Sequence, residues 1–241
     1  MSSTGKTDGN ATQELHSEEI DPQLFAQIIG GKEIGHGRFG KVFSVNMDEN
    51  GKTITYAIKI ITKTVEKESD KDAKERKVIF EKEYRSLGFM RKLAHQHVVP
   101  IFKTWHTNDK NAVGIQMQFC ACDLRELINT KNSMFGRPTN SHQKNDYPYS
   151  EPNDLEYYIG VRWLHEITLG LQYLHSESVS VIHRDVKPEN IVMGTIVGNN
   201  GQQRWVLKLT DFGLAKLHHA SQSNTRDVGT VHYMAPDISM T

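Results

Sequence analysis

The sequence predicts an α+β fold: a β-rich first part holding one main helix, then a mainly helical part that carries a small hairpin. Three patterns lead there. Strand-like runs begin near Ile28 and recur up to Phe119; one charged stretch with helical spacing interrupts them; an apolar helical face opens after Asn153.

In chain order, residues 1–27 are polar and aperiodic and are expected to form a disordered leader. Lys41–Val45 and Thr53–Ile61 flank Asn50-Gly51, a hairpin signal because both turn residues tolerate positive φ. The stretch from Glu66 to Lys92 carries Val78, Ile79, Leu87 and Met90 at roughly helical spacing, with Leu93 just beyond. Val98–Trp105 and Ala112–Phe119 read as two further strands. Lys131–Asn153 is rich in Asn, Ser, Pro, Gly and His and reads as a surface insertion with no role of its own. Ile159, Trp163, Ile167, Leu171 and Leu174 then share one helix face, the mark of a helix buried against a core. Ile191–Ile196 and Trp205–Thr210 form the small hairpin around Gly198-Asn199-Asn200-Gly201.

Composition bounds the function. The chain has 241 residues, enough for one large domain or two small ones packed as lobes. Its 29 basic and 29 acidic residues cancel, which argues against a dominant attraction to nucleic acid or membrane. Cys120 and Cys122 are too close for a good disulfide and read as free thiols of a reducing compartment, so a cytoplasmic protein is expected, with the nucleus as the alternative. The N-terminus shows no apolar signal-peptide region, and no run is long and apolar enough to span a bilayer.

Gly35-His36-Gly37-Arg38-Phe39-Gly40 has Gly-x-Gly-x-x-Gly spacing, a weak signal alone. A dinucleotide-binding turn would need a helix directly after it, whereas Lys41-Val42-Phe43-Ser44-Val45 is strand-like. A glycine loop between two strands suits a flap over nucleotide phosphates, where backbone N–H groups approach the anion. Lys59 lies inside the apolar strand Tyr56-Ala57-Ile58-Lys59 and needs a counter-charge, because a lone buried ammonium is costly. A phosphate and a helix carboxylate would supply it. Glu83 shares a helix face with Leu87 and is the first choice for that carboxylate; Glu81 is the alternative.

The strongest run is His183-Arg184-Asp185-Val186-Lys187-Pro188-Glu189-Asn190, followed by Asp211-Phe212-Gly213. Phosphoryl transfer asks for positioning and charge stabilisation. Asp185 can orient an attacking hydroxyl, while Asn190 and Asp211 offer the hard oxygen donors that magnesium prefers.

With these motifs in order from about residue 28 to its end, the chain resembles the eukaryotic Ser/Thr protein kinase family. The resemblance implies a two-lobe protein-kinase-like fold, with residues 28–119 as the N-lobe and 120–241 as a C-lobe. That C-lobe is expected to be partial, since the chain stops four residues after Asp237, where several helices follow in the family. The resemblance further implies ATP and Mg2+ as cofactors, with Ile34, Gly35, Gly37, Gly40, Val42, Ala57, Lys59 and Glu83 around the nucleotide. Met117 looks like the gatekeeper, Gln118 and Cys120 would present backbone groups to adenine, and Asp123 would lie near the ribose. Lys187 would meet the transferred phosphate, and Thr230 would face the catalytic residues. Arg184 and Lys216 match basic contacts to a phosphate on the activation segment, with Thr225 the preferred acceptor among Ser221, Ser223, Thr225 and Thr230.

The expected activity is transfer of the γ-phosphate of ATP to a protein Ser or Thr. Ile115–Cys120, Trp105 and Thr225–Thr230 resemble kinases of the translation initiation factor 2 alpha subunit, and parts of the region before the hinge resemble Wee-type kinases. The rival expectation is a truncated, catalytically incompetent kinase fragment that binds nucleotide or a partner.

Overall fold

The computed structural model describes residues 18–37, 40–63, 69–137, 151–198, 200–211, 216–217 and 233. The first part is built on a six-stranded sheet in the order β1-β5-β6-β4-β3-β2. Its strands are β1 (Glu18–Glu19), β2 (Lys32–Gly37), β3 (Gly40–Glu49), β4 (Lys52–Thr62), β5 (Ile101–His106) and β6 (Ala112–Gln118). All neighbours are antiparallel except β1, which runs parallel to β5. The Asn50-Gly51 turn forms as expected, with both residues at positive φ, so β3 and β4 pair in register from Gly40↔Ile61 to Glu49↔Lys52.

Helix α1 (Pro22–Ile29) and helix α2 (Asp70–Met90) flank this sheet. Each begins for a local reason. The Asp21 side chain accepts from the Gln23 and Leu24 amides with Pro22 in the first turn, and Ser69 accepts from the Asp72 amide with Asp70 and Asp72 facing the helix N-terminus. Phe80 and Leu87 of α2 pack with Ile61, Val113 and Ile115. Ile20 and Ile28 join Phe43, Val45, Tyr56, Ile58 and Trp105 in a second cluster. Residues 18–27 are therefore not the disordered leader expected from their polarity. Ile20, Leu24, Phe25 and Ile28 carry an apolar face too short to stand out in the sequence, and the sheet supplies the surface that orders it. Residues 1–17 lie outside the described residues.

The second part contains α3 (Leu124–Met134), α4 (Asp154–His175), β7 (Val181–Ile182), a 3-10 turn at Pro188–Asn190, β8 (Ile191–Val197), β9 (Gln203–Leu209) and β10 (Lys216–Leu217). Helix α3 was not foreseen, and it takes Lys131–Met134 out of the expected insertion; residues 138–150 lie outside the described residues. Helix α4 matches its predicted face: Trp163, Ile167 and Leu171 pack against a core in which Leu174 is fully buried. Its first turn is closed by a reciprocal bond pair between Asn153 and Glu156. The buried Glu156 carboxylate also takes Arg137 Nη2 at 2.7 Å and Lys131 Nζ at 3.2 Å, tying the end of α3 to the start of α4. Arg137 holds this carboxyl well below its ordinary range, down to about 2.

Strand β5 starts at Ile101 rather than Val98, because Val98 bridges to Leu209 instead. The amide of Leu209 donates to His97 O, and that of Val99 donates to Leu209 O, both at 2.9 Å. The buried His97 ring adds a bond from Nδ1 to Leu207 O at 2.8 Å. Gly170 lets α4 approach this joint; a Cβ there would come within 2.8 Å of His97 O. The segment leading into the six-stranded sheet is thus bonded to the strand that leads to Asp211. Among the described residues, no helix is long and apolar enough to cross a membrane.

Candidate active site

The glycine loop is the β2–β3 hairpin, as its strand-flanked context predicts, with Gly35 opposite Val42 and Gly37 opposite Gly40. Gly40 is demanded by the sheet beneath it: a Cβ there would sit 2.5 Å from the carbonyl oxygen of Ile60. Val42 and Ala57 come onto the same sheet as Lys59, since β3 pairs Val42 with Lys59 and Ser44 with Ala57. Ile34 stands on β2 with its side chain exposed.

Lys59 is enclosed by β3 and β6, opposite Val42 and Ile115, and its side chain keeps only 15% of its exposure. Its ammonium meets Asp211 Oδ1 at 2.8 Å. Asp211 therefore stands as one counter-charge of Lys59 that the sequence did not assign to it. Glu83 lies on α2, with its side chain outside the described part. The alternative choice, Glu81, meets Lys63 Nζ at 3.3 Å, four residues beyond Lys59. Strand periodicity fixes Lys59 inside the sheet, but a partner 152 residues away leaves no local signal.

The run from His183 to Asn190 folds into a set of mutually bonded groups. Asn190 Nδ2 donates to Asp185 Oδ2 at 2.8 Å and to the Asp185 carbonyl at 2.9 Å. Lys187 Nζ reaches the same Oδ2 at 2.9 Å. Two donors on one oxygen fix the plane of the Asp185 carboxylate. The amide nitrogen of Asn190 is thereby used, which turns its oxygen into the donor for a cation. Asn190 and Asp211 together make a pair of hard oxygen ligands of the kind magnesium accepts with its own waters. Among the described residues, no group of three or more His, Cys, Asp and Glu side chains forms a metal cage.

His183 ties this loop to the strand before Asp211. Its Nε2 donates to Thr210 O at 2.9 Å, and its Nδ1 accepts from the Asp185 amide at 3.4 Å. Burial pushes the imidazole below its ordinary pKa, so the neutral tautomer that makes both bonds is the favoured one. The Thr210 amide in turn donates to Asn190 O at 3.0 Å. Two residues here adopt left-handed backbone, Arg184 at φ 68° and Asp211 at φ 59°. For non-glycine residues that conformation is strained, and it concentrates where side chains must be aimed.

The remaining sequence-predicted residues divide clearly. Met117 and Gln118 end β6, and the hinge beyond them is secured by backbone bonds from Ala121 N to Met193 O and from Met193 N to Cys122 O. The Gln118 side chain adds a bond to Thr195 O at 2.8 Å, a clasp the sequence did not reveal. Burial pushes the Cys120 thiol up to about 11, in keeping with an inert hinge residue. Asp123 uses its carboxylate to cap α3 through the Glu126 amide. Burial lowers the Arg184 pKa, and the backbone of Lys216 pairs with Ile182, two residues before Arg184. Phe212, Gly213, Thr225 and Thr230 lie outside the described residues.

Comparison with known proteins follows the same outline. The family model described as "Protein kinase domain" matches residues 29–239. A probable serine/threonine-protein kinase WNK6 of Oryza sativa subsp. japonica is 31% identical over 154 residues, 63% of this chain and 28% of that protein. Cyclin-dependent kinase D-1 of Arabidopsis thaliana is 29% identical over 85% of this chain and 41% of its own length. Ribosomal protein S6 kinase alpha-1 of Rattus norvegicus is 28% identical over 92% of this chain and 24% of its own. The chain spans less than half the length of each of these relatives. The match covers the glycine hairpin, Lys59, the Asp185 loop and Asp211 alike, and on that agreement of fold, site and sequence this chain belongs to the protein kinase domain family.

Proposed function

We propose that this chain is a Ser/Thr protein kinase that moves the γ-phosphate of ATP to a protein hydroxyl. One observation carries the reading: Asp185 Oδ2 is gripped by Asn190 and Lys187 at 2.8 and 2.9 Å, in a loop bonded to Thr210, the residue before Asp211. Asp185 accepts the proton of the incoming hydroxyl and orients it for attack. Lys187, paired with Asp185, neutralises charge as the phosphate passes to the acceptor. Lys59 holds Asp211 in place and meets phosphate oxygens beneath the glycine hairpin. Magnesium bound by Asp211 and Asn190 would supply charge neutralisation between the phosphates. The names of the relatives, serine/threonine-protein kinases among them, support the same acceptor class.

The finer reading is that the acceptor protein is the alpha subunit of translation initiation factor 2, which would place the enzyme in the cytoplasm. Its support is the sequence of Ile115–Cys120, Trp105 and Thr225–Thr230. Phosphorylation of Thr225 would supply an anion for Arg184 and Lys216, ordering the activation segment.

Purified protein should transfer phosphate from Mg-ATP to a Ser/Thr peptide, and Asp185→Asn should abolish the transfer. No transfer combined with stabilisation by ATP would overturn the enzyme reading in favour of a nucleotide-binding fragment. Transfer to other proteins but not to the alpha subunit would remove the substrate assignment alone. Full activity in Thr225→Ala would remove the switch.

A further inference from the structure

Strand β9 leads to Asp211, and its outer edge shows what holds it in place. Met193 of β8 stands opposite Leu207 of β9. The Met193 amide and carbonyl turn away from β9, toward Cys122 O and the Ala121 amide. Antiparallel geometry therefore turns the Leu207 amide and carbonyl outward on the other side, and those of Leu209 likewise. Both residues are buried, so each of these backbone groups must find a partner. The segment before β5 supplies most of them. His97 Nδ1 donates to Leu207 O at 2.8 Å, the Leu209 amide donates to His97 O, and the Val99 amide donates to Leu209 O. The remaining group, the Leu207 amide, donates to a side chain: Glu166 Oε2, at 2.8 Å.

Helix α4 prepares Glu166 for that bond. The side chain is only 11% exposed, and its other oxygen takes Arg162 Nη2 at 3.1 Å from one turn earlier. One donor on each oxygen fixes the plane of the carboxylate. Four residues after Leu207, Asp211 holds its left-handed φ of 59°. Strained backbone of this kind persists only where its surroundings over-determine it. Thr210 gives part of that support, through its amide on Asn190 O and its carbonyl under His183 Nε2. The rest comes from the fixed position of β9. Without the Glu166 oxygen a buried N–H loses its acceptor, and β9 relieves that penalty by shifting. Such a shift moves Asp211 against Asn190.

Building on the protein kinase reading and its magnesium pair, we propose that Glu166 is a positioning residue. Through the Leu207 amide it sets where β9 lies, and so how far the Asp211 carboxylate stands from the Asn190 oxygen. It acts through the backbone and not on nucleotide or acceptor itself.

The test compares wild type with Glu166→Gln, which keeps an oxygen for the Leu207 amide, and Glu166→Leu, which removes it at similar size. Arg162→Ala removes only the outer partner. Calorimetric titration of ADP with and without Mg2+ reads the metal pair without turnover. Glu166→Leu should cut the gain in ADP affinity that Mg2+ gives by about tenfold, the low end for a residue behind a metal ligand, and leave metal-free ADP binding unchanged. Glu166→Gln and Arg162→Ala should keep the wild-type gain. In the transfer assay the Mg2+ concentration for half-maximal rate should follow the same order, with the KM for a peptide acceptor unmoved.

A purely structural role would lower the thermal midpoint of Glu166→Leu and leave the Mg2+ gain intact, and that result overturns the proposal. So does a Glu166→Gln as impaired as Glu166→Leu, or a wild type whose ADP binding ignores Mg2+. Should Glu166→Leu not fold, hydrogen exchange of wild type decides. Because coupling is reciprocal, adding Mg2+ to the ADP-bound chain should slow the Leu207 amide more than the Phe25 amide of α1, and equal slowing overturns the proposal. A wild type that transfers no phosphate while the Mg2+ gain follows the expected order removes the enzyme reading alone.

Discussion

Lys59 and Asp211 meet at 2.8 Å although 152 residues separate them, and the contact joins the centre of the six-stranded sheet to the end of the β8–β9 hairpin. The lysine side chain is mostly enclosed while the aspartate side chain is 45% exposed, so the pair presents its charge toward solvent from one side. Lys59→Met should lower phosphate transfer by about 100-fold or more, the loss typical of removing one preorganised charge contact at a transferring group. Circular dichroism should remain that of the folded protein. Retained transfer in a folded Lys59→Met chain would contradict the assignment.

Asn190 and Asp185 should separate by their metal dependence. Asn190→Ala removes both the grip on Asp185 and an oxygen for the cation, so the Mg2+ concentration giving half-maximal rate should rise about 10- to 100-fold. Asp185→Asn should depress kcat without shifting that concentration. Magnesium titrations of the two variants, with residual activity followed by radiolabel, would show the contrast.

The N-terminal clasp should carry measurable stability. Ile28 is fully buried between α1 and the sheet, so Ile28→Ala should cost about 2–5 kcal/mol. Urea unfolding reads this directly. A midpoint equal to that of wild type would mean that residues 18–29 do not hold the sheet.

Glu156 predicts an acid-sensitive step in stability. Its carboxyl is lowered from 4.5 to about 2 by Arg137 first, opposed by burial and assisted by Lys131 and the Asn153 amide. A lowered folded-state pKa means stability that is present in full above 4.5 and is lost as pH falls toward 2. Thermal midpoints of wild type should therefore drop through that window more steeply than those of Glu156→Gln. At neutral pH the variant should be the less stable of the two.

How much was legible in the sequence depends on how local the cause is. The Asn50-Gly51 turn, the α4 stripe through Leu174 and the β8–β9 hairpin were readable because their signals lie within a few residues. The same holds for Asp185, Lys187 and Asn190, which share one short loop and bond to one another. Helix α1 was hidden because its few apolar residues mean little until Trp105 and Phe43 lie opposite them. Helix α3 was hidden by a polar surface face, and its start depends on the Asp123 cap and the bridge from Asp123 to Val192. The Lys59–Asp211 pair and the bond from Leu207 to Glu166 are long-range contacts, and only the folded chain brings them together.

The left-handed backbone at Arg184 and Asp211 implies that this site was not chosen for durability. Glycine would adopt φ 68° or 59° without strain at either position, and such a change would relax the loop by about 1 kcal/mol. It would also delete the guanidinium or the carboxylate that the proposed function uses. Selection for a tougher protein and selection for a working one therefore pull in opposite directions at these two residues, and a screen for heat resistance alone should drift toward inert variants there.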